Sequence, residues 1–145
     1  MRGAGVWSYG VVNLVHILGV ATLFGSILVL DLRLLGLWAR APLVAVATPV
    51  VPLAALGFTV AVVSGACLLA TNASEYAGNP FLLIKFPAIA LGLVNVAALN
   101  ALPAWKARAV RAPAERERFQ LAAVGGASLV CWLTALAAGR LIGYW

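Results

Sequence analysis

An all-α integral membrane protein, a single bundle of four transmembrane helices, is predicted by three observations. Of 145 residues, 64% are hydrophobic and only 10% are charged, whereas a typical soluble domain carries about 25% charged residues. Four runs contain no Asp, Glu, Lys or Arg: 6–30, 41–74, 86–105 and 119–139. At a rise of about 1.5 Å per residue, each is long enough to cross a hydrocarbon layer about 30 Å thick. The charges collect in the gaps between these runs, as the loops of a multi-span protein require. This composition excludes a soluble enzyme. The 10 Lys and Arg against 4 Asp and Glu are a property of the loops, so no nucleic acid is expected as a partner and the lipid bilayer is.

The first span is placed at 6–30. It exceeds the apolar region of a signal peptide and runs into Asp31-Leu32-Arg33 without a small-residue cleavage site, so it stays in the protein. The second run is too long to be all helix. Thr48-Pro49 reads as a cap followed by a first helical residue, which places this span at 49–71. Asn79-Pro80 repeats that signal and opens a third span at 81–105, with Pro87 freeing the Leu83 carbonyl and bending the helix beside Lys85. The fourth span is placed at 119–143. No hydrophilic segment is long enough for a second domain, so 1–145 reads as one unit.

Lys and Arg are kept preferentially on the cytoplasmic side. The first and third connections share one side and hold Arg33, Arg40, Lys106, Arg108, Arg111, Arg116 and Arg118, while the other side has Arg2, Lys85 and Arg140. Both termini are therefore expected outward and the basic loop 106–118 inside, in a bacterial cytoplasmic membrane.

Lipid offers no hydrogen bonds, so polar residues within a span turn toward the interior. Tyr9, Asn13, His16, Gly19, Leu23 and Ser26 form one such stripe; Ala61, Ser64, Leu68 and Thr71 form a second. The third comprises Lys85, Ala88, Gly92 and Asn95, and the fourth Gly125, Ser128, Trp132, Ala135 and Gly139. His16, the sole histidine, is the leading functional candidate, because an ionisable group deep in a span is costly and imidazole ligates metals. The competing reading is a neutral ring that packs the core while donating to a backbone carbonyl or to Asn95. Lys85 and Arg140 sit about 6 Å below the outer mouth and His16 about 13 Å below Trp7. That arrangement suits an amphipathic cofactor with acidic groups up and an apolar body down. Alternatively, both cations snorkel to water. Two cysteines, Cys67 and Cys131, fall in different spans and read as small core residues, with a disulfide left open. The four acidic residues map to span ends or loops, which disfavours a buried carboxylate relay.

Leu14-Val15-His16-Ile17 followed by Thr22, Phe24 and Gly25, with Lys85 near the start of the third span and Glu115 to Phe119 before the last, resembles the small four-helix HemJ-type membrane proteins. Leu28 to Gly36, Asn79-Pro80 and Gly139-Arg140-Leu141-Ile142 resemble related bacterial proteins. HemJ-type proteins are protoporphyrinogen oxidases with a b-type haem, and their functional first-span His and third-span Lys fall on His16 and Lys85. Leu23 stands where they tend to have Trp, and the third span offers Asn95 and Asn100 where relatives can offer a second histidine. The resemblance implies a haem b in the outward half, with His16 as axial metal ligand and Lys85 and Arg140 on the propionates. Tyr9, Asn13 or Asn95 would orient His16. Porphyrin is the implied substrate class, with porphyrinogen oxidation or electron transfer as the redox role and the catalytic residues unknown. The reading of a different class is a cofactor-free accessory or structural subunit, packed as a homo-oligomer or within a larger membrane complex.

Overall fold

The computed structural model describes residues 3–145, which fold entirely into helices and turns. In chain order these are α1 (Gly3–Leu34), α2 (Leu43–Thr71), α3 (Ala73–Tyr76), α4 (Pro80–Ala101), α5 (Pro103–Lys106) and α6 (Glu115–Leu141), followed by a 3-10 turn, Ile142–Tyr144. The four long helices are each long and apolar enough to span a membrane, and the chain is a multi-pass membrane protein of the all-α four-helix class. Large apolar side chains such as Leu14, Ile17, Leu83, Val94 and Val130 face outward. In water these would form a costly surface; in acyl chains they are the solvated face.

Helix boundaries follow local chemistry, and several differ from expectation. α1 continues beyond Leu30 to Leu34. It stops at Gly36, which takes a positive φ of 113°, while Leu37 N donates to Leu32 O and Gly36 N to Arg33 O, the paired closure of a glycine-terminated helix. The Arg33 guanidinium then clamps the loop through two bonds to Ala41 O, at 2.9 and 3.0 Å. α2 begins at Leu43, directly after Pro42, and not at Pro49; both Pro49 and Pro52 lie inside it. Thr48 is no cap, because its hydroxyl donates back to Val44 O at 2.7 Å. α4 opens as its sequence indicates: Asn79 Oδ1 accepts from Phe81 N at 2.9 Å with Pro80 in the first turn. It closes at Ala101, earlier than the expected 105, because Pro103 forces Leu102 into extended backbone (ψ 131°).

Two helix pairs build the bundle. α1 lies along α2, α4 lies along α6, and α1 against α6 joins them; α2 and α4 make no comparable contact. The α1–α2 seam is set by glycine. A Cβ on Gly19 would come within 2.8 Å of Ala61 N, and one on Gly57 would strike Leu23 N and lie 2.9 Å from Gly19 O. Between helices in lipid, close van der Waals approach of this kind replaces the hydrophobic drive. α6 uses the same device, Gly125 against Leu34 and the Asp31 carbonyl. One end of the bundle is sealed by a buried cluster containing Leu30, Leu34, Leu43, Leu99, Trp105 and Leu121.

The seam yields a paired prediction. Gly57→Ala is expected to destabilise the protein by about 1–3 kcal/mol, since the backbone it meets has no rotamer to yield. Gly25→Ala, with nothing within 4 Å of the new methyl group, is expected to be neutral or slightly stabilising. Unfolding in mixed micelles, followed by circular dichroism, compares the two.

Candidate functional site

The buried polar groups fall at two levels. In the half of the bundle holding the chain termini, α1 presents His16 to α2, where its Nδ1 lies 3.0 Å from Ser64 Oγ. Ser64 has one hydroxyl hydrogen, and its oxygen sits 2.5 Å from Val60 O, a carbonyl that can only accept. The serine hydrogen points to Val60 O, which leaves Ser64 Oγ as an acceptor for His16 Nδ1–H, and the Ala61 carbonyl is a second acceptor for the ring. With Nδ1 as the donor, a neutral ring carries its lone pair on Nε2. The imidazole, half-buried, rests against Gly65: a Cβ there would be 3.0 Å from His16 Cε1 and 3.4 Å from Nδ1. Lys85, from α4, lies at the same level. Its chain passes over Gly139 of α6, whose added Cβ would stand 3.4 Å from Nζ.

His16 and Lys85 are thus brought together, and the other expected partners are not. Asn13 is exposed on α1; three residues before His16, it lies about 60° around the helix, beyond the narrow strip that α2 covers. Tyr9 is also exposed and sits at the end of α1 beside Tyr76 and Asn72. Arg140 is exposed, with its guanidinium 4.6 Å from the Tyr144 ring centroid and bonded to the Tyr144 hydroxyl. It turns along its own helix instead of inward. Asn95 faces inward at the other level, donating to Val124 O at 3.0 Å.

That second level is a cleft of about 240 Å³, lying where α2 and α4 diverge, with α1 and α6 as its floor. Its walls are mainly apolar, and its polar lining includes Asp31, Asn95 and Ser128. Sequence reasoning missed Asp31, which was expected at a span end. The side chain is only 3% exposed and engages Ser128, yet its Oδ2 has no hydrogen-bond partner among the described residues. The same holds for Nε1 of Trp132, a residue 5% exposed that also lines the cleft. Trp132 packs over Gly92 and meets Phe58 edge-on, with centroids 6.2 Å apart and planes at 80°. This pair reaches across from α6 to α2 and stands between the two levels. The overlooked signal for Asp31 was Gly36: a helix ending there carries Asp31 a full turn inside.

A shallower groove between α1 and α2, about 390 Å³, is lined by Val11, Val15, Thr59, Val63 and others and faces the lipid side. The cysteines do not pair, and Cys67 is exposed instead of buried. Among the described residues no three His, Cys, Asp or Glu side chains gather as a metal cluster. In the basic loop, Arg111 and Glu117 form an ion pair of two 2.7 Å bonds, which together with the attraction of the two charges raises the Arg111 guanidinium above its ordinary value. Arg108 covers the Trp105 ring at 4.1 Å.

An apolar four-span bundle with a half-buried histidine at one level and a buried aspartic acid at the other defines a small helical membrane protein with buried polar sites. Residues 3–145 match DUF6644, a family of unknown function, and the chain belongs to that family. No curated protein and no solved structure matches it.

The tautomer is directly testable. With selectively labelled histidine, ¹⁵N spectra of the protein in bicelles are expected to show a protonated Nδ1 and a pyridine-type Nε2. Ser64→Ala is expected to shift the ring toward a mixture of tautomers, because only one of its two acceptors, the Ala61 carbonyl, then remains.

Proposed function

We propose that this protein binds a b-type haem in the outward half of the bundle and has a redox role, either electron transfer or porphyrinogen oxidation of the HemJ type. The observation that carries the reading is the contact of His16 Nδ1 with Ser64 Oγ. Iron-ligating histidines hold their other N–H on an acceptor, which fixes the ring and raises its basicity, and the Ser64 hydroxyl occupies that position here at 3.0 Å. His16 Nε2 would be the nitrogen that holds the iron. Lys85 fits as the cation facing a propionate, and Arg140, turned onto Tyr144, takes no part. Asn13, Asn95 and Tyr9 are removed from the orienting role, which Ser64 takes instead.

Bound haem would supply one-electron chemistry at its iron. The chain's own contributions are distinct from it. Ser64 holds the Nδ1 hydrogen, Gly65 leaves room for the flat ring, and Lys85 offers a charge-assisted hydrogen bond where water is scarce. The asymmetry of loop charge supports a bacterial cytoplasmic membrane with both termini outward and the 106–118 loop inside.

A second reading, a cofactor-free accessory subunit, is favoured by one observation. Asn13 stands exposed among apolar side chains on α1, where a hydrogen bond to a neighbouring helix, in a homo-oligomer or larger complex, would relieve its desolvation.

Absorption spectra of protein produced with ample haem, before and after dithionite, separate these readings. A Soret band in the wild type, lost in His16→Ala and about tenfold more readily extracted in Lys85→Ala, is the expected result. Colour unchanged by His16→Ala overturns the ligand assignment, and a colourless wild type favours the accessory subunit. Incubation with protoporphyrinogen reads the oxidase role, which a rate no higher than the protein-free control rejects.

A further inference from the structure

α1 carries a face that the bundle leaves uncovered. Asn13, Ile17, Ala21 and Gly25 follow one another at intervals of four and are all exposed. Residues so spaced form one continuous ridge on a helix. Gly25, and Gly10 a turn before Asn13, have nothing within 4 Å of an added Cβ, whereas Gly19, on the other side of the same helix, is in close contact with α2. One polar side chain stands on the ridge. Asn13 lies about 9 Å further into the span than Trp7, and among the described residues nothing bonds its amide. Its neighbours on α1 are served: Tyr9 by Tyr76 and Asn72, and the Thr22 hydroxyl by Leu18 O. Acyl chains offer an amide no hydrogen bond.

We propose that this ridge is the contact face of a symmetric dimer, in which a second copy of the chain covers it and Asn13 bonds its own counterpart. Complementarity selects a second copy over an unrelated helix. All copies insert in one orientation, so a two-fold axis along the bilayer normal sets each ridge residue opposite itself. A charged side chain there would repel its counterpart. An amide both donates and accepts, and so satisfies itself. No Asp, Glu, Lys or Arg falls between residues 3 and 30, so no like charges along the ridge oppose self-association. Ridges of this interval cross at about −40° to −50°. Ala21 and Gly25 then let the two backbones approach, as Gly19 and Gly57 do within the bundle. The dimer takes the exposed Asn13 to a defined face and partner, and it holds with or without haem, because His16 faces α2 instead.

Association is measured by energy transfer between donor- and acceptor-labelled full-length copies in phosphatidylcholine liposomes, over a series of lipid dilutions. The wild type is expected to dimerise. Asn13→Leu, similar in size but without the amide, is expected to weaken the dimer about tenfold, and Gly25→Leu, which props the ridges apart, to abolish it. In a chain carrying Cys67→Ser and Cys131→Ser, Ile17→Cys is expected to give a disulfide-linked dimer on oxidation. Val94→Cys, exposed on α4, is expected to give none. Every substituted position on the ridge is exposed, so the bundle's own packing is untouched, which circular dichroism checks. A wild type that stays monomeric at the highest protein-to-lipid ratio overturns the proposal. So does wild-type association in Asn13→Leu or Gly25→Leu, or cross-linking of Val94→Cys equal to that of Ile17→Cys. No haem enters this readout, so its failure is distinct from a failure of the haem reading, which the absorption spectrum reports.

Discussion

Close backbone approach between α1 and α2 is the constraint on which everything else in this bundle depends. Lipid tails are as apolar as leucine side chains, so the helices gain little by hiding hydrophobic surface from each other and must gain by packing. Gly19 and Gly57 let the two backbones touch, and a methyl group on either would meet main-chain atoms of the opposite helix. The consequence appears two turns along the seam, where Gly65 has space for the imidazole and Ser64 stands within a hydrogen bond of it. A wider seam would put His16 out of reach of Ser64 and free its tautomer. Packing therefore controls which ring nitrogen carries the lone pair.

The same device, used on α6, separates the two polar levels. Gly125 admits Leu34, Gly139 admits the Lys85 chain, and Gly92 of α4 admits the Trp132 ring. With α6 held against both α1 and α4, α2 is left without a partner on the α4 side, and the cleft opens there. Trp132, bulky and anchored over Gly92, extends to Phe58 and partly bridges that gap. The cleft is thus a direct result of three helices packing tightly on glycine while the fourth pair of faces has none.

Much of this was legible in the sequence because polar and small residues in lipid have only one favourable direction. Of the expected stripes, Ala61, Ser64, Ala88, Gly92, Gly125, Ser128, Trp132 and Ala135 are buried, as are Gly19 and Ser26, while Leu68, Lys85, Asn95 and Gly139 are half-buried and Thr71 is exposed. The stripe fails where its premise fails. Tyr9 lies at the end of α1, where Tyr76 and Asn72 partner its hydroxyl, and Arg140 finds an aromatic face and a hydroxyl in the turn that follows its helix. Asn13 shows that helical spacing defines a face more broadly than one neighbouring helix can cover. The start of α2 was misplaced because Thr-Pro carries the same local signal whether it opens a helix or sits inside its first turns, and only the surroundings of Leu43 and Ala47, both buried, distinguish the two. Asp31 was misread because a charge at the edge of an apolar run usually marks the loop. The glycine closure at Gly36 moves that edge outward by a turn.

Asp31 also shows what packing does not explain. A carboxylate buried to this degree loses its hydration, and one interaction with Ser128 replaces only part of it, leaving Oδ2 unbonded. Substitution of such a group by an apolar residue of similar size is commonly neutral or stabilising, so stability alone gives no reason for an acid at this position. Intramembrane ionisable residues are costly and tend to mark a ligand or ion path. His16 and Asp31 stand about 22 Å apart along one helix, with the Phe58–Trp132 pair between their levels. One helix thus carries a ring nitrogen suited to donating a lone pair and a carboxylate suited to accepting a hydrogen. The aromatic pair stands between their surroundings.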